Sequence, residues 1–113
     1  MTRFERAAQL WSVFALAARH QRILSYDIAG RLTGLPRQAV GDNLAPIQDY
    51  CLQNDLPPIT ALVVSEGTGL PSEGFIASQN ILPELNRVFV YDWLSRTTPT
   101  PEDFERAYIN AKH

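Results

Sequence analysis

Ser25-Tyr26-Asp27-Ile28-Ala29-Gly30-Arg31-Leu32-Thr33-Gly34-Leu35-Pro36-Arg37-Gln38-Ala39-Val40-Gly41 decides how this chain is read. Ser25 is a capping residue, whose hydroxyl accepts from the N–H groups that a helix start leaves open. The pattern predicts a short helix over about 26–32, with Ile28, Ala29 and Leu32 as its apolar stripe. Gly34 is the expected stop, since glycine takes the left-handed conformation that other residues resist. Pro36 suits the first turn of a next helix, where its missing N–H would have had no intrahelical partner. That helix is expected over about 36–53, with Ala39, Val40, Leu44, Ile47 and Cys51 facing inward. Pro46 lies inside it and predicts a kink, or a split near Leu44. Two helices joined by Thr33-Gly34-Leu35 form a helix-turn-helix pattern.

Outward toward the N-terminus, Phe4, Ala7, Ala8, Trp11, Phe14, Ala15 and Ala18 recur at three- and four-residue steps. They predict an amphipathic helix over about 3–19, opened by a capping box of Thr2 and Glu5. Toward the C-terminus, Leu56-Pro57-Pro58 breaks the chain, and the β-branched run Ile59-Thr60-Ala61-Leu62-Val63-Val64 predicts a strand. A turn at 65–69 and a partner strand near 70–76 would complete a hairpin, and a helix pair with such a hairpin makes up a winged helix-turn-helix. Asn80 is an expected cap for a further helix with Ile81, Leu82, Leu85, Val88, Phe89, Trp93 and Leu94 on its apolar side. Thr100 caps a last helix with Pro101 at its first position and Glu102 and Asp103 in its first turn. The expected fold is therefore α+β and mainly helical: one domain over 1–113, with an N-terminal helix (1–23), a winged helix-turn-helix with a small β-hairpin wing (24–76) and a C-terminal helical extension (77–113).

Composition narrows the function. The chain has 113 residues, 45% of them hydrophobic, which suits a single packed core. One cysteine excludes an internal disulfide and any multi-cysteine zinc site. The opening residues run straight into the amphipathic pattern, without a signal-peptide hydrophobic region, and no apolar run approaches the ~20 residues of a membrane span. A cytoplasmic protein without membrane contact is expected. Net charge is −2 but unevenly spread. Residues 1–41 carry six arginines against Glu5 and Asp27, a local charge of +4, and residues 42–113 sum to −6. A basic third can hold an anion such as a phosphate backbone while the whole stays soluble; ordinary surface charge is the alternative.

The stretch 24–75 resembles the DNA-binding domain of the O6-alkylguanine-DNA alkyltransferases and alkyltransferase-like proteins. The resemblance rests on Ser25-Tyr26-Asp27-Ile28-Ala29, on Gly34-Leu35-Pro36-Arg37-Gln38-Ala39-Val40-Gly41, on Asn54-Asp55-Leu56-Pro57, and on the glycine-bearing Gly67 to Gly74. It covers under half of the chain. It implies a winged helix-turn-helix on duplex DNA, with Tyr26 against a phosphate. Where that family has a Pro-Cys-His-Arg motif with the acceptor cysteine, this chain has Ile59-Thr60-Ala61-Leu62 after Pro57-Pro58. Where the family places an arginine before Ala-Val-Gly, this chain has Gln38, with Arg37 one step earlier. The expectation is a non-catalytic, alkyltransferase-like DNA-binding protein.

Candidate residues follow. Arg37 and Gln38 lie on the first turn of the second helix of the pair, where a recognition helix presents side chains to base edges. Asn43 extends the same face five or six residues on. Arg19, Arg22 and Arg31 are positioned to bracket a phosphate backbone from the preceding elements, while Asp42 and Asp49 oppose phosphate approach. No Ser-His-Asp or Cys-His set can be assembled, His20 has no second histidine before His113, and neither catalysis, a metal nor a cofactor is expected. Cys51 aligns with Leu44 and Ile47 and reads as a buried structural cysteine; a residual alkyl-acceptor role is the remote alternative. Val88, Phe89, Tyr91 and Trp93 form an aromatic cluster that is either core or an exposed patch. The patch reading makes the protein a dimerisation or protein-interaction module on the same scaffold, without DNA binding.

Overall fold

Thr2 starts the first helix as the sequence predicts. Its hydroxyl accepts from the Glu5 N–H at 3.1 Å, and its own N–H donates to Glu5 Oε1 at 2.9 Å. The second bond holds the Glu5 carboxyl below the usual carboxylate range. The computed structural model describes residues 1–65 and 81–111. In it α1 (Arg3–Arg19) buries Ala7, Leu10, Trp11, Phe14, Ala15 and Ala18; Leu10 joins the expected stripe, while Phe4 and Ala8 are only partly buried at its edge. A two-residue strand β1 (Leu24–Ser25) follows, then α2 (Tyr26–Thr33), capped by a 3.1 Å bond from the Ile28 N–H to Ser25 Oγ. Gly34 ends α2 at φ 76°, in the left-handed region that glycine enters without a Cβ penalty.

The next helix is split in two, α3 (Arg37–Asp42) and α4 (Ala45–Gln53), with Asn43 and Leu44 at the joint. Pro46 is the cause, since it falls in the first turn of α4, the position where its missing N–H costs nothing. Pro36 itself stands just outside α3, in extended backbone.

The expected strand over Ile59–Val64 is corrected. Ile59–Leu62 is a 3₁₀ turn, entered from Pro58 through a 2.9 Å bond from the Ala61 N–H to the Pro58 carbonyl, and only Val63–Val64 is a strand, β2. All six residues are buried, with no alternation. A run that is apolar on every side can be packed as a turn as readily as a strand. β2 pairs in parallel with β1, Leu24 opposite Val63 and Ser25 opposite Val64. The expected hairpin wing, with its turn and partner strand, and the Asn80 cap lie outside the described residues.

Helix α5 (Ile81–Val90) stops short of the expected Leu94, and Trp93–Ser95 forms a separate 3₁₀ turn. The indole of Trp93 turns back to donate to the Val88 carbonyl at 2.8 Å, which a continuous helix would forbid. Thr100 and Asp103 form a second capping box at the start of α6 (Pro101–Asn110). Among the described residues the molecule is thus mainly helical with one small parallel two-stranded sheet. α4 and α6 pack on each other and on α1, and α5 covers the 3₁₀ turn at 59–62. At the centre, Trp11 meets the rings of Tyr50, Trp93 and Phe104 at centroid distances of 5.6, 5.4 and 5.8 Å. No helix among the described residues is long and apolar enough to cross a membrane.

Candidate nucleic-acid interface

The α2–turn–α3 unit is held from behind by α1. Arg6 Nη1 donates to the Thr33 carbonyl at the end of α2, at 2.5 Å, and Arg3 Nη2 donates to the Asp42 carbonyl at the end of α3, at 2.7 Å. Each guanidinium satisfies a carbonyl at a helix end, where the intrahelical ladder leaves such groups open. Arg3 also stands over the Tyr108 ring, 4.5 Å from its centroid, which ties α6 to the same corner. Sequence gave no sign of these roles. The acceptors are backbone carbonyls 27 and 39 residues away, and carbonyls carry no sequence signature.

With the unit anchored this way, Pro36, Arg37 and Gln38 stand exposed at the outer tip of α3. Among the described residues Arg37 and Gln38 engage no ion pair and no side-chain hydrogen bond, so both are free to meet a ligand. Gly41 is exposed on the same short helix, with no side chain to obstruct approach. Of the two acids expected to oppose phosphate, Asp49 is buried on α4, and Asp42 alone remains at the surface of this corner.

Other candidates are placed differently. Tyr26 is 7% exposed and packs its ring beneath α3, with Cε1 only 3.9 Å from where a Gly41 Cβ would stand. It supports the α2–α3 pair from inside and offers little to a phosphate. Asn43 does not extend the face, because its amide folds back to donate to the Ala39 carbonyl at 2.6 Å. A short polar side chain at a helix end finds its own backbone before it finds a ligand. Arg31 is exposed but paired with Asp27 at 3.0 Å, one turn back on α2. Arg19 and Arg22 are exposed at the far end of α1. From Arg6, beside the turn, to Arg19 the helix axis rises about 20 Å. Arg19 is therefore set apart from the end of α1 that carries Arg3 and Arg6, and Arg22, just beyond α1, lines a groove between α1 and α2.

The aromatic cluster is largely resolved in favour of core. Val88 and Trp93 are 0% and 3% exposed, and Phe89 and Tyr91 are half-buried against them. Trp11 and Phe104 compete for the same interior, and packing them together removes more apolar surface from water than presenting Trp93 outward would.

Cys51 is 1% exposed, and burial pushes its thiol up to about 12 despite the Ile59 N–H and the Arg96 charge, which act in the other direction. At neutral pH it carries a proton and is no nucleophile. Native protein at pH 7.5 is expected to react with a thiol-directed disulfide reagent at least about a hundredfold more slowly than the protein unfolded in urea, as followed by absorbance. Equal rates would place the thiol at the surface. Among the described residues no group of three His, Cys, Asp or Glu side chains is arranged to hold a metal ion.

Set against protein-family models, curated proteins and solved structures, the chain matches none of them.

Proposed function

We propose that this chain is a non-catalytic protein that binds double-stranded DNA through the α2–α3 pair. The exposed α3 tip carries the reading. Arg37 and Gln38 project from a helix whose position is set from behind by Arg3, Arg6 and Tyr26. A recognition helix contacts base edges with the residues of its N-terminal end. Arginine matches guanine O6 and N7, and glutamine matches adenine N6 and N7. The likeness of 24–75 to alkyltransferase-like DNA-binding domains supports the same surface. In this reading the fold is of the winged helix-turn-helix kind, the protein works in the cytoplasm, and the buried, protonated Cys51 takes no part in group transfer. A homodimer through the aromatic cluster loses its motive, because Val88 and Trp93 lie in the core.

A gel-shift titration on mixed-sequence duplexes at low and moderate salt tests the proposal. Binding is expected at or below about 100 μM at low salt, with a steep loss as salt rises. Arg37→Ala is expected to weaken it about tenfold. Arg19→Ala with Arg22→Ala is expected to change it no more than about twofold, since Arg19 lies about 20 Å along α1 from Arg6, which holds the end of α2, and Arg22 lines the α1–α2 groove instead. No complex at ~100 μM and low salt would end the reading.

A further inference from the structure

The far end of α1 has a surface of another kind. α2 returns antiparallel beside α1, and between them runs an open groove of about 600 Å³. Val13, Leu16 and Ala17 of α1, Leu24 of β1 and Leu32 of α2 are its apolar lining. Two of these side chains are left in water: Leu16 is 54% exposed and Leu32 63%. Ile28, one turn back from Leu32 on the same face of α2, is exposed as well. The expected apolar stripe of α2 thus turns only Ala29 into the core and leaves Ile28 and Leu32 outside. Among the described residues, His20 and Arg22 are the polar lining of the groove and no carboxylate lines it; Arg19, next to His20 in the chain, is exposed.

We propose that this groove docks an amphipathic helix with acidic residues, supplied by another protein. A trough between two helices accepts a third through apolar anchors at i, i+3, i+4 and i+7. The cationic rim selects carboxylates at the end of the occupant that lies over His20 and Arg22. The apolar side chains Val13, Leu16, Ala17, Leu24 and Leu32 make up most of the groove and match an apolar helix face better than a phosphate backbone, which sets this surface apart from the α3 tip. The chain's own acidic helix does not qualify, because α6 carries Glu102, Asp103 and Glu105 but commits Phe104 and Ala107 to the core.

The test is fluorescence anisotropy with the full chain and two labelled synthetic helices. Both carry leucines at i, i+3, i+4 and i+7; one has glutamates at its other positions and the other has lysines. The acidic peptide is expected to bind with a Kd of tens of micromolar, and the basic one at least about tenfold more weakly. Leu16→Ser combined with Leu32→Ser is expected to weaken the acidic peptide at least about tenfold. Both side chains are more than half exposed, so this variant keeps its helical circular dichroism and its melting temperature. Arg22→Glu is expected to weaken the acidic peptide and strengthen the basic one, and Arg37→Ala to change neither. Any of three results overturns the proposal: no binding of the acidic peptide up to about 500 μM, equal binding of both peptides, or binding indifferent to Leu16 and Leu32. A fourth is a dimer in light scattering that Leu32→Ser dissolves, since it would make a second copy the occupant.

Discussion

Gly30→Ala is expected to cost about 2–3 kcal/mol of folding stability and to lower the melting temperature by roughly 10 °C. On helix propensity alone the sign would be the reverse, because alanine inside a helix is favoured over glycine by about 1 kcal/mol. The contact decides. A Cβ on Gly30 would stand 2.5 Å from the Leu35 carbonyl oxygen and 3.4 Å from Val40 Cγ2. The nearer atom is backbone and cannot rotate away. It is held in place because the Leu35 N–H donates to the Gly30 carbonyl at 2.9 Å, as does the Gly34 N–H in closing α2. Making room therefore means opening the turn and shifting α3 off α2. Gly34→Ala offers the contrast. Its surroundings are open, with Arg6 Nη1 the nearest atom at 3.9 Å, but its φ of 76° makes any side chain strained, at about 1 kcal/mol. Thermal and urea melts followed by far-UV circular dichroism measure both. If Gly30→Ala melts at or above the parent, the turn does not approach α2 this closely. Gel shifts on the folded fraction of the same variant are expected to lose affinity, because the Arg37 tip rides on the displaced helix.

Gly30 also shows where reading a sequence stops. Local signals carried through: Thr2 with Glu5, Ser25, Gly34, Pro46, and Thr100 with Asp103 each act within a turn or so of their own position, and each boundary they mark is found in the fold. Two misreadings are local, Asn43 folding back on Ala39 and Arg31 pairing with Asp27; those that concern the fold come from contacts made across the chain. Ile59–Val64 reads as strand from its β-branched content, yet its backbone follows Pro58 into a 3₁₀ turn, because α1, α4 and α5 surround it and reward burial over pairing. Gly30 sits in a helical pattern like any other residue; only the return of Leu35 over it makes the missing Cβ necessary.

The candidate site was half legible for the same reason. Arg37 and Gln38 follow a turn and open a helix, which is a local fact, and both are exposed. Summed charge is not a local fact. Six arginines in 41 residues look like one basic surface, but a helix separates them along its axis. Arg3 and Arg6 hold the ends of α3 and α2 from the α1 side, Arg31 answers Asp27, Arg22 borders an apolar groove instead, and Arg19 is exposed at the end of α1. One charge count thus resolves into a scaffold pair, a surface ion pair, an exposed arginine at the α3 tip and two arginines at and just beyond the end of α1.

Trp11→Ala is expected to remove about 4 kcal/mol of stability, most of what a domain at the lower end of the usual range has to lose. Trp11 is where the elements of the fold meet. Its indole comes from α1, the Tyr50 ring from α4, the Trp93 ring from the 3₁₀ turn after α5 and the Phe104 ring from α6, and the contacts to Tyr50 and Trp93 are edge-on at 89° and 83°. Tyr50 and Phe104 also touch each other, at 5.5 Å, so the space left by Trp11 is walled by rings braced against one another and cannot collapse. Trp11→Phe keeps a ring in that space and is expected to cost roughly half as much. Urea melts by circular dichroism separate the two; a loss below about 1 kcal/mol for Trp11→Ala would mean that the cluster is not the core. The functional consequence follows from α1. The helix that carries Trp11 also carries Arg3 and Arg6, the two props of the α3 tip. Where Trp11→Ala is still folded, DNA binding is expected to fall only in step with the folded fraction, because the props lie one to two turns from the cavity on an intact helix. A steeper fall would mean that packing in the core sets the position of Arg37 directly.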